Sequence, residues 1–234
     1  MSRARLESVR VATRRPPPQE NLREAARRAF EEIAAADPEA LAGRAGGTLR
    51  GRTIELILLG RPVSVDLDRK AVIEEGGAAA SDAVAAPVAR YLARCGGLGE
   101  TGGDWLGFAD DANARGYLDP FRRGVVAPLL AAFGRRPEDF AQAAALLGGE
   151  RVPALETPGS AAYRVRVLPR VDLVFVLSPG DDEFPAEGQV LFPRGLFRAF
   201  AVDDLVWLAG LAARALRGKH PVKSSVDRSP NPSP

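Results

Sequence analysis

Asp181, Asp182, Glu183 and Glu187 stand together in the run Pro179-Gly180-Asp181-Asp182-Glu183-Phe184-Pro185-Ala186-Glu187, the best cluster of chemistry-bearing side chains in the sequence. Oxygen ligands this close along the chain suit a hard cation such as Ca²⁺ or Mg²⁺. A bound Mg²⁺ or Mn²⁺ could activate water without any histidine. Paired carboxylates also do acid/base work where burial separates their pKa values. The competing reading is a solvated acidic turn between two strands. Phe184-Pro185, apolar inside the acidic run, suggests a loop folded back on the domain, with Glu183 and Glu187 near protein. Glu187 could equally pair with Arg194 or Arg198.

Other chemistries are excluded by residue type. The single histidine is His220, beside Pro221 and far from the apolar segments. No Ser-His-Asp or Cys-His arrangement is expected inside the domain, and no histidine-based zinc or iron site. The single cysteine, Cys95, falls on the apolar face of a helix, the setting of a core thiol rather than a reactive thiolate. One cysteine cannot form an intrachain disulfide or hold a four-cysteine cluster, so no iron–sulfur cluster is expected within this chain. The run Gly97-Leu98-Gly99-Glu100-Thr101-Gly102 matches G-x-G-x-x-G but follows a helix instead of a strand, and Asp104 would repel phosphate. It reads as a connection, not a dinucleotide site. Arg164 and Arg166 share one strand face and offer either an anion contact or a solvated sheet face.

The elements that must position these groups follow from periodicity. Asn21 and Glu24 form a capping-box signature before a helix with Leu22, Ala25, Ala26, Phe30 and Ile33 on one face. Asp37-Pro38 opens a second helix. Thr53 to Leu59 and Pro62 to Leu67 alternate as strands around Gly60-Arg61, an antiparallel hairpin. Ala71 to Glu74 adds a third strand, and Ser81 or Asp82 caps a helix carrying Val84, Val88, Tyr91, Leu92 and Cys95. Trp105 to Phe108 is a short strand. Asp119-Pro120 opens a helix with Phe121, Val125, Leu129 and Phe133 on one stripe, and Pro137 opens another.

Ala162 to Leu168 and Val171 to Leu177 form the next strand pair, with a return strand at Gln189 to Phe192. Leu173 to Leu177 is apolar on both faces, which predicts a central strand covered on both sides. The last helix, about Asp203 to Arg217, has so broad an apolar stripe that burial on more than one side is expected.

The chain has 234 residues, 46% hydrophobic and 26% charged, with no apolar run long enough to span a bilayer. Its arginine-rich start lacks the apolar segment of a secretory signal. Five arginines against Glu7 give residues 1–18 a net +4. Lys219, Lys223 and Arg228 against Asp227 give residues 219–234 a net +2. The overall +2 therefore leaves −4 on residues 19–218. A body that is mildly acidic is not the footprint of a specific nucleic-acid binder.

The blocks Leu168-Pro169-Arg170-Val171, Gly180 to Glu187 and Val190-Leu191-Phe192 resemble the prokaryotic domain-of-unknown-function family 3786. Gly102 to Phe108 with Trp105, Phe121, Pro128-Leu129-Leu130, Phe133-Gly134 and the turn at Leu59-Gly60-Arg61 are similar too. The resemblance covers roughly residues 22–217. It supplies no established catalytic residues. It implies a redox or corrinoid-linked setting, because some members are fused to a cysteine-rich iron–sulfur segment that this chain lacks.

The sequence thus predicts an α+β fold over residues 19–218, an antiparallel sheet built from two hairpin-plus-helix units and covered by helices. Disordered tails are expected at 1–18 and 219–234. The expected function is a non-catalytic binding or accessory module of cytoplasmic metabolism, with an unknown small molecule or protein partner. It carries no membrane segment and leaves the oligomeric state open. One alternative is a carboxylate-dependent enzyme in which Asp182, Glu183 and Glu187 hold Mg²⁺ or Mn²⁺. The other is a structural interaction domain, which an exposed contiguous apolar patch would mark.

Overall fold

The computed structural model describes residues 22–98 and 104–222. The cap at Asn21, most of the glycine motif, and the tails before 22 and after 222 lie outside the described residues. The fold is α+β with antiparallel sheets.

Helix α1 (Leu22–Ile33) buries Ala25, Ala26, Ala29, Phe30 and Ile33 and packs on α3 (Asp82–Arg94). Between them, α2 (Pro38–Ala45) begins where the Asp37 carboxylate accepts from Ala40 N at 2.9 Å, with Pro38 at the first position. It ends at Gly46, in the left-handed region at φ 64°. A Cβ there would come within 3.0 Å of the Pro169 side chain, so glycine satisfies both the backbone angle and the close approach.

The expected single sheet is two. Strands β1 (Thr48–Arg50), β2 (Thr53–Leu58), β3 (Arg61–Asp66) and β4 (Ala71–Glu74) form a meander in chain order. A second sheet comprises β5 (Trp105–Gly107), β6 (Glu150–Arg151), β7 (Ala161–Leu168), β8 (Val171–Ser178) and β9 (Glu187–Pro193). Its order is β5-β9-β8-β7-β6, so β8 is central as its apolar run requires.

One face of β8, with Leu173, Phe175 and Leu177, joins the main core. The other, with Val174 and Val176, is covered by Trp105 of β5 and by Val152 and Leu155 at a short 3₁₀ turn, Pro153–Leu155. The covering helices are α4 (Leu118–Phe121), α5 (Ala127–Phe133), α6 (Pro137–Leu146), α7 (Arg194–Ala199) and α8 (Val202–Leu216). Nine residues of α8, from Asp204 to Leu216, are buried, which accounts for its wide stripe.

A backbone hydrogen bond from the β2–β3 turn links the two sheets. Leu59 and Gly60 both have positive φ, 52° and 82°, making the two-residue turn of the β2–β3 hairpin, one position earlier than expected. A leucine in that region is strained. It is held because its side chain is buried and its N–H donates to Val167 O at 2.9 Å. Val167 sits at the register shift of β7, so its carbonyl is released from the β8 ladder.

The Leu59 carbonyl accepts from His220 Nε2 at 3.0 Å, while His220 Nδ1 accepts from Val222 N at 3.1 Å. Arg61 Nη1 donates to Val222 O, and Val222 is buried. His220 and Val222 thus pack against the β2–β3 turn.

Arg170, in the turn between β7 and β8, ties the sheet to the helices. Its guanidinium donates to the carbonyls of Arg44 (3.1 Å), Cys95 (3.3 Å) and Leu98 (2.8 Å), at and just beyond the ends of α2 and α3. Carbonyls at helix C-termini lack intrahelical donors and carry partial negative charge, so a cation satisfies both needs. Its backbone N–H donates to the Tyr91 hydroxyl, which donates onward to Ala45 O at 2.6 Å. Burial holds the Tyr91 phenol well above its usual range.

Replacing Arg170 by Met keeps the aliphatic stem and deletes these charge-assisted bonds. The expected loss is about 3 kcal/mol of unfolding free energy, read as a lower urea midpoint with an unchanged slope. A midpoint equal to wild type would refute this role.

Candidate functional site

The acidic residues do not converge. Asp181 Oδ1 accepts from the backbone N–H groups of Glu183 (2.9 Å) and Phe184 (2.7 Å), and these bonds hold its carboxyl below the usual range. Asp182 and Glu183 are exposed on the same loop, and Glu187 is exposed at the start of β9. Among the described residues no three His, Cys, Asp or Glu side chains are grouped so as to hold a metal ion. Asp181 Oδ1 is engaged by its own turn, and its acidic neighbours are exposed to solvent.

Phe184 is 68% exposed, so the loop does not fold back through its aromatic ring. It folds back through its backbone instead. Gly180 N donates to Gly134 O at 2.9 Å, and a Cβ on Gly180 would meet Ala186 N at 2.5 Å.

The other candidates are also engaged. Arg164 pairs with Glu150, and Arg166 reaches Asp172 at 2.9 Å. Arg194 pairs with Asp104 at 3.1 Å rather than with Glu187. Cys95 is fully buried, and burial raises its thiol, the opposite of what a nucleophile needs.

The site that the fold does build is a groove of about 570 Å³ along β9. It brings together segments far apart in sequence: Gly107–Asp110 after β5, Leu118–Leu130, and Ala186–Val190. Its apolar wall is Leu118, Val126 and Leu130, each half-buried. Behind that wall Phe108 and Phe121 stack with centroids 4.0 Å apart, and Phe192 packs against both.

Arg122 and Arg123 border the groove from a π-helical turn, Arg122–Val126, that separates α4 from α5. Such turns are frequent at functional sites. Glu187 and Gln189 stand across from them on β9, and Asp110 uses one oxygen to accept from Gly107 N at 2.7 Å. Among the described residues neither Arg122, Arg123 nor Glu187 has a side-chain hydrogen bond or ion pair.

A second groove, about 610 Å³, lies between Trp207, Leu211 and Arg214 of α8 and Leu22 and Asp82. Its carboxylate, Asp82, already faces Arg23 at 3.5 Å. Beneath Trp207, Arg90 stacks over the indole ring at 5.5 Å and faces the buried Asp204 at 3.4 Å. Asp204 Oδ2 caps α8 by accepting from Ala201 N at 3.2 Å, while Oδ1 has no hydrogen bond. Burial raises the Asp204 carboxyl to about 6, against the pull of Arg90 and Arg94.

Residues 37–215 match a family described as a domain of unknown function, DUF3786. The chain belongs to that family. The DUF3786 match includes every segment lining the first groove, together with Arg170 and the acidic loop. No curated protein and no solved structure matches the chain. No helix among the described residues is long and apolar enough to cross a membrane.

Two outcomes follow from this geometry. Mg²⁺ or Mn²⁺ should leave the melting temperature no higher than an equal ionic strength of Na⁺ does, and Glu183→Gln should melt like wild type. A saturable cation-specific rise lost in Glu183→Gln would show that the carboxylates do converge.

For Asp204, the unfolded chain ionises near 3.8 and the folded chain near 6. The folded state therefore holds more protons between them. Its contribution to stability is fully present below about 3.8 and lost as pH rises through about 6. Asp204→Asn keeps a capping oxygen and should flatten that part of the pH–stability curve, measured by urea midpoints from pH 4 to 7. An unchanged slope would mean that Asp204 does not titrate there.

Proposed function

We propose that this protein is a non-catalytic binding module, accessory to cytoplasmic metabolism, whose ligand site is the groove along β9. The redox or corrinoid-linked setting implied by the family resemblance belongs to the same proposal. What carries it is the pair of guanidiniums, Arg122 and Arg123, unneutralised beside a half-exposed apolar wall. Arginine suits planar carboxylate or phosphate groups, which it can meet with two parallel hydrogen bonds.

A concave, mostly apolar groove with a few polar groups at its rim is the usual form of a small-molecule site. The ligand class this supports is a small organic anion with an apolar body. Glu187 and Gln189 add an acceptor and an amide for a hydroxyl or amine on the same ligand. The groove residues include no nucleophile paired with a base, so the reading is of binding without turnover. A separate interaction role is favoured elsewhere on the surface, at the exposed Phe184.

The test is thermal shift followed by calorimetry with a panel of aryl and alkyl carboxylates and phosphate monoesters. A binder at a hundred times its Kd should stabilise the fold by about 2.7 kcal/mol. Arg122→Glu with Arg123→Glu should abolish that shift without changing the ligand-free melting temperature. Conversion of any panel member by the purified protein would overturn the non-catalytic reading. Binding indifferent to both arginines would overturn the site.

A further inference from the structure

The loop that carries Phe184 is built as a rigid display. Asp181 accepts two backbone N–H groups of the loop, its own N–H donates to Phe184 O at 3.0 Å, and Gly180 is bonded to Gly134 at the end of α5. A loop braced at three points holds out a phenylalanine that is 68% exposed. Burying that ring against a partner would return apolar area to a surface that now gives it to water.

The same face contains a receptor. A cavity of about 380 Å³ lies against the loop, lined by Leu130, Ala131 and Ala132 of α5, by Arg135 and Arg136, and by Phe184 itself. The charges around it do not close within one chain. Among the described residues Arg135 has no ion pair, and neither do Asp182 and Glu183. Arg136 is partly occupied, with one nitrogen on Ala132 O and another 3.4 Å from Asp139.

One small patch thus carries an aromatic knob, an apolar hollow, unpaired acids and an unpaired base. A patch that holds both halves of a complementary contact can meet itself across a two-fold axis.

We infer that the occupant of this cavity is a second copy of the chain. Phe184 of each protomer seats over Leu130, Ala131 and Ala132 of its partner, and Asp182 or Glu183 of each meets Arg135 of the other. The contact is small, which places the dimer among weak, concentration-dependent associations. Arg122 and Arg123 take no part, so replacing them tests the ligand groove and leaves the dimer contact intact. The two sites share only Leu130 and Ala186.

Sedimentation velocity of the full chain over a wide concentration series tests it. The wild type should shift from monomer to dimer as concentration rises, and added salt should weaken the dimer. Phe184→Ser, at an exposed position, should weaken the dimer by about tenfold or more while melting like wild type. Arg135→Glu and Glu183→Arg should each weaken it, and combining the two should restore it, a rescue that loss of folding cannot mimic. A wild type that stays monomeric throughout, a Phe184→Ser variant that dimerises as the wild type does, or a charge swap without rescue would each overturn the inference.

Discussion

A helix that ends inside a protein leaves carbonyls without donors, and this fold ends two helices at one place. The last turn of α2 and the 3₁₀ turn after α3 both present carbonyl oxygens to the corner beneath the β7–β8 turn. Arg170 answers both with one guanidinium. Tyr91 adds a second link, accepting from the turn and donating to the helix. Because that turn joins the central strand β8 to β7, satisfying the helix ends also fixes where the sheet lies. Gly46 lets the backbone come within reach, since any side chain there would collide with Pro169. Within the Leu-Pro-Arg-Val block, Pro169 packs on Gly46 and Arg170 ties the helix ends to the sheet, so the block holds the frame together.

Everything that lines the groove hangs from this frame at one remove. β9 pairs with β8, β5 pairs with the end of β9, and the Phe108–Phe121–Phe192 cluster locks the π turn over that pair. The aromatic cluster is rigid, and two arginines are held on an exposed turn above it. Holding like charges side by side costs free energy unless something pairs with them. In the described structure nothing does, which is why an anionic ligand is the natural complement.

How much was legible follows from how local each signal is. The apolar run of β8, the hairpin near Gly60, the helix after Pro137 and the broad stripe of α8 depend on near neighbours, and the structure has them. The strands β1 and β6 and the helix α7 are too short for periodicity to register. The division into two sheets could not be read, because strand pairing between segments far apart in the chain leaves no local pattern, and neither does the Leu59–Val167 bond that links the sheets. The groove could not be read either, since its walls come from three separated segments.

One trace of the groove was in the sequence. Phe121, Val125, Leu129 and Phe133 repeat at strict intervals of four, whereas an α-helical face alternates three and four. Four-residue steps drift around an α-helix, and the drift must be absorbed somewhere. The π turn at Arg122–Val126 absorbs it, and all four side chains reach the core.

The acidic loop shows why proximity along a chain is a poor guide to a metal centre. Convergence needs several carboxylates aimed at one point, and a tight turn aims successive side chains apart. One oxygen of Asp181, Oδ1, is already engaged in organising the turn. What the turn achieves is the opposite of a cage: it fixes Phe184 outward with acids on either side. Arg135 stands nearby, opposite in charge, and does not pair with those acids within the chain. Opposite charges that share a face and stand unpaired on their own chain can be met by another molecule that supplies the pairing geometry. A two-fold axis supplies it without requiring any feature that the chain does not already have.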